Sequence, residues 1–475
     1  MLRFQRFVGL AVLVVTGLVA VALWFAVGTD PVRANGVHSG FVFGVWHILY
    51  ADQMPSTLVM AAAVSSAVFL LALVVFVDHR ITTRFRLSTR ERATPLAPKI
   101  VMADTRGVFA GEVSVTVLIA AHNDAESLPG TIASLWRQSR KPMRLIVIAD
   151  NCTDATEDVA RAHGAEVMVS VENPDKKAGA LNQGLARLLP ELGENDVVLI
   201  MDADTVLQAG FLEHAVARFR EDRALMAVGG QFRGEPGHGL IGAFQRNEYV
   251  RYGREINRRQ GKVFVLTGTA SVFRPRALRA VAAARGAALP GREGDVYDVA
   301  SLTEDNELTI ALRTLGALMI APRQCQVVTE LMPTWRELWS QRLRWQRGAL
   351  ENLGTTGVTP ATARYRARQL GIAYGFFAVA SGFVLLAVLL LAVDHWVWFP
   401  FWLCLGGIFV VERVVTAWKA GWAGRALALL IFPEVAYDLF IRAAFIKGVV
   451  DMSFDRGAPR RPRSASGAAH RRVLT

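Results

Sequence analysis

Asp196-Val-Val-Leu-Ile-Met-Asp-Ala-Asp204 (DVVLIMDAD) decides how this chain is read. Asp196–Met201 is a short apolar run rich in branched residues, the pattern of a strand buried on both faces. Three residues follow it at once: Asp202, Ala203 and Asp204. Upstream, Glu112–Ala121 (EVSVTVLIAA), Arg144–Ala149 (RLIVIA) and Glu166–Val171 read as further strands. Ala125–Gln138, with Pro129 in its first turn, Ala155–His163 and Ala178–Leu189 read as the helices between them. Alternating strands and helices imply βαβ units and a parallel sheet, hence an α/β domain. In such a sheet the ligand lies beyond the carboxyl ends of the strands. The polar groups fall there: His122-Asn123-Asp124, Asp150-Asn151, and Asp202 with Asp204.

Outside this block the chain is apolar. Of its 475 residues 52% are hydrophobic, and the mean hydropathy is +0.30, high for a soluble protein. Phe7–Gly28 and Thr57–Val77 are runs long enough to span a bilayer, as is Leu370–Val393. Trp396–Val411 is a weaker fourth run, ended by Glu412 and Arg413. Arg425–Val450 is a fifth that carries Glu434, Asp438 and Arg442, with Pro433 expected in mid-helix. The net charge is +12, yet the basic residues flank apolar segments and form no nucleic-acid arm. Arg80, Arg84, Arg86, Arg90 and Arg92 follow the second run, and Arg364, Arg366 and Arg368 precede the third. Residues 78–369 are therefore expected in the cytoplasm of a multi-pass protein of the inner (plasma) membrane. The three cysteines, Cys152, Cys325 and Cys404, have neither disulfide nor metal spacing.

Several short motifs can carry chemistry. Asp202 and Asp204 can grip a hard divalent cation, Mg²⁺ or Mn²⁺, that bridges a diphosphate. Asp150 can accept from a base N–H of a nucleotide, or can cap the following helix, with Thr153 as a rival cap. Asp175-Lys176-Lys177 opens a helix, where an N-terminus and lysine favour phosphate oxygens; the plainer alternative is a solvated basic turn. Thr303-Glu304-Asp305 starts the amphipathic stretch Leu308–Leu315, and a carboxylate there can take the proton of an attacking hydroxyl. It can equally be a helix cap with first-turn acids. Gln341-Arg-Leu-Arg344-Trp345 lies in the amphipathic stretch Trp335–Leu353. Arg344 can neutralise a departing diphosphate, and Trp345 offers a flat face for a sugar ring. Arg342 and Arg347 are read as lipid contacts.

Taken in order, VTVLIAAHNDAES, IADNCTDAT, KKAGALNQGL, DAD, LTGTASVFR, TED and QRLRW resemble the membrane-embedded family-2 glycosyltransferases. These are the cellulose, hyaluronan and poly-N-acetylglucosamine synthases. The likeness spans residues 113–353 and the layout of the membrane segments. It implies an α/β GT-A (Rossmann-like) cytosolic domain inserted between transmembrane α-helices, and inverting transfer from a nucleotide-sugar with Mg²⁺ or Mn²⁺. It implies Asp150 at the uracil, Asp202 and Asp204 at the diphosphate and metal, and Asp305, with Glu304, at the catalytic step. It further implies Lys177 near the donor, Gln341, Arg344 and Trp345 at the donor diphosphate and acceptor end, and Thr267-Gly268-Thr269 by the acceptor. Asp124 stands where glutamate is usual, and stacking on the base would fall to His122. No cyclic-dinucleotide-binding domain is read after the membrane segments, which points away from cellulose synthases controlled that way.

The domain reading follows. Residues 1–77 are two N-terminal transmembrane helices with a short external loop, and 78–110 a basic linker. Residues 111–333 are the cytosolic GT-A domain, 334–369 amphipathic interface helices with the Q-x-x-R-W motif, and 370–450 membrane-embedded helices. Residues 451–475 are a basic tail, read as disordered. The expected partners are a nucleotide-sugar, a polysaccharide or oligosaccharide acceptor and the lipid bilayer. The expected function is processive transfer coupled to export. A single transfer to a lipid acceptor, such as a polyprenyl phosphate, is the alternative within this class; a transporter or scaffold with a degenerate domain is the alternative outside it.

Overall fold

The structure is a computed structural model that describes residues 37–51, 94–106, 112–259, 261–392 and 400–454, with 61, 62, 65 and 69. Two compact units divide the chain, one drawn from Met1–Arg90 and Ala380–Val411, the other from Glu91–Val379 and Glu412–Thr475. The expected spans Phe7–Gly28 and Thr57–Val77 lie outside the described residues apart from those four, as do most of the basic linker and the tail beyond residue 454.

In the first unit, β1 (Val37–Val42) and β2 (Trp46–Ala51) form an antiparallel hairpin where only an external loop was expected. Val42 pairs with Trp46, so three residues connect the strands; φ is positive at Phe43 (52°) and Gly44 (69°), and Val45 N–H donates to Val42 O. That geometry matches the twist of paired strands.

The second unit is built on a seven-stranded sheet. Its strands are β3 (Ser114–Ala121), β4 (Arg144–Ala149), β5 (Glu166–Val169), β6 (Asp196–Asp202), β8 (Leu225–Gly229), β10 (Ala270–Phe273) and β11 (Leu318–Ile320), in the order β11-β8-β10-β6-β3-β4-β5. Helices α2 (Leu128–Trp136), α3 (Thr156–Ala162) and α4 (Lys176–Leu188) connect the first strands. Helix α1 (Pro98–Asp104) precedes them. Alternation buries both faces. Leu118, Ile146, Ile148, Val198 and Ile200 enter one core; Val117, Ile119, Val147, Leu199 and Met201 enter the other. The unbroken apolar look of each strand has this cause.

The sheet is not the wholly parallel one that the sequence predicts. Strands β6-β3-β4-β5 are parallel, but β10 runs antiparallel to both β6 and β8. The direction has a consequence for the site: Thr267-Gly268-Thr269 precedes β10, so reversing it sets that tripeptide at the end where β6 delivers Asp202. A backbone bond from Asp202 N–H to Thr269 O (3.2 Å) ties the two. A smaller sheet, β7 (Val206–Leu207), β12 (Gln326–Thr329) and β9 (Gln231–Gly234), lies in the order β7-β12-β9. Helices α5 (Phe211–Glu221), α6 (Gly239–Arg258), α7 (Pro275–Ala284), α8 (Glu304–Thr314) and α9 (Trp335–Thr356) complete this part.

Four helices follow: α10 (Ala363–Ala392), α11 (Pro400–Thr416), α12 (Gly421–Leu429) and α13 (Phe432–Ser453). Among the described residues no helix is long and apolar enough to cross a membrane. The fifth apolar run is two helices, with Ile431 at φ 43° between them. Pro433 therefore sits in the first turn of α13, where no donor is required, and not in mid-helix. Glu434, Asp438 and Arg442 do share a face, and it is turned inward. Glu434 is 2% exposed and accepts from Asn247 Nδ2 at 2.7 Å. It also pairs with Arg251, while Asp438 pairs with Arg413 and Arg442 donates to Ile372 O at 3.3 Å. Pairing in this way offsets part of the desolvation cost that an isolated buried charge would bear in full.

Candidate active site

Asn123 and Asn151 follow the ends of β3 and β4. Both have positive φ (58° and 49°), a conformation asparagine tolerates better than most residues. The turns fold onto each other: Asn123 Oδ1 accepts from Thr153 N–H at 2.8 Å, and His122 Nδ1 lies 2.6 Å from Asp150 O. Asp124 Oδ2 accepts from His122 N–H at 2.8 Å, and burial raises its carboxyl above the usual range.

Asp150 is not a helix cap. It is buried, and its Oδ1 accepts from Ser170 Oγ (2.7 Å), Asn173 Nδ2 (2.7 Å) and Asn151 Nδ2 (3.2 Å). These donors hold the carboxylate in place at the sheet end. Ser170 and Asn173 escape a reading of the sequence, since nothing in their spacing links them to residue 150.

Four charges meet at the centre. Lys177, in the first turn of α4, pairs with Asp202 at the end of β6 and lies 3.5 Å from Glu304 Oε1. Glu304 and Asp305 open α8. Thr303 holds the N-cap position without capping, because its Oγ1 and its carbonyl both accept from Asn352 Nδ2 at 3.2 Å. Burial opposes the charge on Lys177, but Asp202, Asp305 and Glu304 outweigh it and hold its ammonium well above the ordinary value. Burial pushes the Asp305 carboxyl up to about 8; Lys177 and Arg344 pull against that rise, while Glu304 and Asp202 add to it.

Around this centre the backbone is close. Gly268 lies against the Asp305 carboxylate, and Thr267 and Thr269 are joined by a 3.0 Å hydroxyl bond. Tyr297 lines a small cavity with Asp305, Thr267 and Gly268. Asn182 fixes it there: Oδ1 accepts from Val296 N–H (3.0 Å) and Tyr297 N–H (2.8 Å), and Nδ2 donates to Tyr297 O (2.9 Å). Arg285, wholly buried, pairs with Glu307 of α8 through both carboxylate oxygens, at 2.8 and 2.6 Å. Sequence periodicity has no means of finding Tyr297 or this pair.

Helix α9 crosses the start of α8. Gly348 allows the approach, for a Cβ there would stand 2.5 Å from Thr303 Oγ1. One turn earlier on α9, Arg344 is exposed, and its charge reaches Asp305. Trp345 is 38% exposed with the Arg342 guanidinium 4.3 Å from its ring centroid. Gln341 Oε1 is buried and takes no hydrogen bond. Arg342 and Arg347 are not lipid contacts: Arg342 is 1% exposed and pairs with Glu248 at 2.9 Å, and Arg347 pairs with Glu351 at 2.6 Å. The partner of Arg342 lies on α6, 94 residues back in the chain, whereas that of Arg347 is one turn on along α9.

Among the described residues no group of three or more His, Cys, Asp and Glu side chains forms a metal site. Asp202 and Asp204 nevertheless fit a divalent cation when a diphosphate supplies the other oxygens. Burial, with Asp202 beside it, pushes the Asp204 carboxyl up to about 6, a repulsion that a shared cation would remove.

The mixed sheet and the site at its strand ends define a GT-A-like glycosyltransferase fold. Residues 116–282 match the family described as Glycosyl transferase family 2. It is similar to the poly-β-1,6-N-acetyl-D-glucosamine synthases of Staphylococcus aureus, strain COL, at 26% identity over 246 residues, and of Staphylococcus epidermidis at 26% over 248. Each alignment covers 50% of this chain and 55% of the relative, so the chain spans about half the length of the curated relatives it matches. Among solved structures, the mannosyltransferase PcManGT from Pyrobaculum calidifontis, in complex with GDP-Man and Mn²⁺, aligns at 16% identity and TM-score 0.49, over 79% of this chain and 99% of that one. Glucosyl-3-phosphoglycerate synthase from Mycobacterium tuberculosis aligns at 19% identity and TM-score 0.35, over 55% and 84%.

Proposed function

We propose that the protein is a processive, inverting glycosyltransferase that moves a sugar from a UDP-sugar to a growing polysaccharide and exports the product through its membrane region. The observation that carries this reading is the convergence of Lys177, Asp202, Glu304 and Asp305 at one end of the sheet. Asp305 is the base. It takes the proton of the acceptor hydroxyl as that oxygen bonds to the anomeric carbon; the bond from that carbon to the diphosphate oxygen breaks on the opposite side, and UDP leaves. A carboxyl held near neutral pH by burial suits this task. Glu304 keeps Lys177 beside the developing diphosphate charge. Asp150 accepts from the uracil, with His122 and Asp124 on the donor side. Arg344 answers the leaving charge, Gln341 lies with it, and Trp345 and Thr267-Gly268-Thr269 support the acceptor. Asp202 and Asp204 would hold Mg²⁺ or Mn²⁺, which would supply charge neutralisation to the diphosphate.

The similarity to poly-N-acetylglucosamine synthases supports a polymer product, and the apolar runs of the amino-acid sequence, flanked by basic residues, support a multi-pass place in the plasma membrane with the catalytic domain in the cytoplasm. The domain boundaries read from the sequence stand as part of this proposal. Purified full-length chain incubated with a panel of UDP-sugars and Mg²⁺ or Mn²⁺ tests it. Release of UDP with long product on a gel is the expected result. Release with a single sugar on a lipid would establish the alternative, and no release with any donor would overturn both.

A further inference from the structure

Three arginines share one ring. The guanidinium carbons of Arg259, Arg368 and Arg364 lie 4.8, 4.9 and 5.7 Å from the centroid of Phe264. Tyr365 meets the same ring edge-on at 5.5 Å, with Arg313 5.7 Å over its own face. Glu255 pairs with Arg259 at 2.9 Å, across an exposed contact. An aromatic face attracts one cation readily, but like charges gathered on it repel each other. A phosphate turns that repulsion into attraction, because each guanidinium presents a fork of donors to its oxygens.

We propose that Arg259 and Arg368, over Phe264, bind the phosphate of an anionic phospholipid headgroup. The lipid source is favoured by continuity: Arg368 precedes Leu370, where α10 enters the apolar run Leu370–Val393. Headgroup phosphates are the anions found beside the start of such a run. The proposal thus rests on the bilayer reading of α10. The site is wired to the chemistry. Arg313 Nη2 donates to Val263 O (2.7 Å), Tyr365 OH donates to Phe264 O (2.5 Å), and Leu266 N–H donates to Thr309 Oγ1 of α8 (2.9 Å). This segment runs directly into Thr267-Gly268-Thr269, so a bound headgroup steadies the loop that lies on Asp305.

The test uses full-length protein in nanodiscs of phosphatidylcholine alone or with phosphatidylglycerol, together with flotation on vesicles of the same compositions. Wild type should release UDP several-fold faster with phosphatidylglycerol. Arg259→Gln/Arg368→Gln should lose that gain yet match wild type in phosphatidylcholine, and Arg259→Lys/Arg368→Lys should keep part of it. Matched thermal unfolding of the variants in detergent checks that they fold. A glutamine variant with the full wild-type gain overturns the site. Glycerol phosphate that raises the rate in phosphatidylcholine to the same level overturns the lipid source. A chain that releases UDP in solution and floats on neither vesicle overturns the bilayer reading, and this proposal with it.

Discussion

Gly268 and Asp305 touch: a Cβ at residue 268 would stand 2.7 Å from the Asp305 carboxyl carbon and closer still to Oδ2. A methyl group there cannot be accommodated unless the carboxylate or the loop moves. Gly268→Ala should therefore lower turnover by about 10²-fold, the effect of displacing a reacting group by about an ångström. In the proposed function the donor phosphates meet Lys177 and the cation held by Asp202, not this face, so binding of UDP should change little. Isothermal titration with UDP beside steady-state rates separates the two, and wild-type turnover in the alanine variant would show that the close approach has no catalytic meaning.

Asp305→Asn should cost about 10²-fold or more in rate while donor binding survives. The pH dependence has a definite sign. A base must be ionised, and burial raises this carboxyl to about 8, so kcat/KM should climb with pH and level off above that value. Stability should move the other way. The folded state keeps the proton up to about 8, whereas an unfolded aspartate releases it near 3.9, so this group's contribution to stability falls as pH rises through that window. Denaturant midpoints measured across the window should fall less steeply for Asp305→Asn than for wild type.

Asp204 predicts how metal affinity follows pH. Its carboxyl is raised to about 6, and a cation competes with that proton. Mn²⁺ affinity in the presence of UDP, followed by electron paramagnetic resonance, should be flat above pH 6 and weaken by about tenfold per pH unit below it if one proton is involved. Asp204→Asn should bind Mn²⁺ poorly at every pH. Affinity unchanged by this substitution would remove Asp204 from the metal site.

The polar strand ends are legible in the amino-acid order, because a buried parallel strand has a simple signature and its carboxyl end a simple consequence. Asp150 and Asp202 follow from it, and Lys177 from the helix start that comes next in the chain. What stays hidden depends on contacts between distant segments. The reversed direction of β10 is invisible in Ala270–Phe273, whose residues suit either orientation. Arg342 resembles a surface charge because its partner Glu248 lies on α6, far back in the chain. Pro433 resembles a mid-helix break because the apolar run hides the turn at Ile431, where no glycine marks it.

Trp345 and Arg342 form a stacked pair, 4.3 Å apart, and only the indole is open to solvent. If the ring supports the acceptor as proposed, Trp345→Ala should cut polymer yield far more than it cuts UDP release by hydrolysis. Trp345→Phe should recover part of the yield by restoring a flat apolar face. Equal yields from the alanine variant and wild type, on a gel that resolves product length, would sink the acceptor role.

Arg285 and Glu307 test whether the structure around the base is held by buried charge. Arg285 is fully enclosed and donates to both Glu307 oxygens, to Val296 O and to Pro290 O. Glu307 lies on the same first turns of α8 as Asp305, so the pair joins that helix to the segment carrying Tyr297. Removing one partner leaves the other charge buried alone, at a cost of about 3–5 kcal/mol. Arg285→Ala should lower stability by that order in chemical denaturation, and Glu307→Gln by less, because the amide oxygen still accepts one of the two bonds. Replacing both, as Arg285→Met/Glu307→Leu, should regain much of the loss without regaining full turnover, since the bonds from Arg285 to Val296 O and Pro290 O are gone. A double variant as active as wild type would show that the pair serves folding alone and leaves the base where it is.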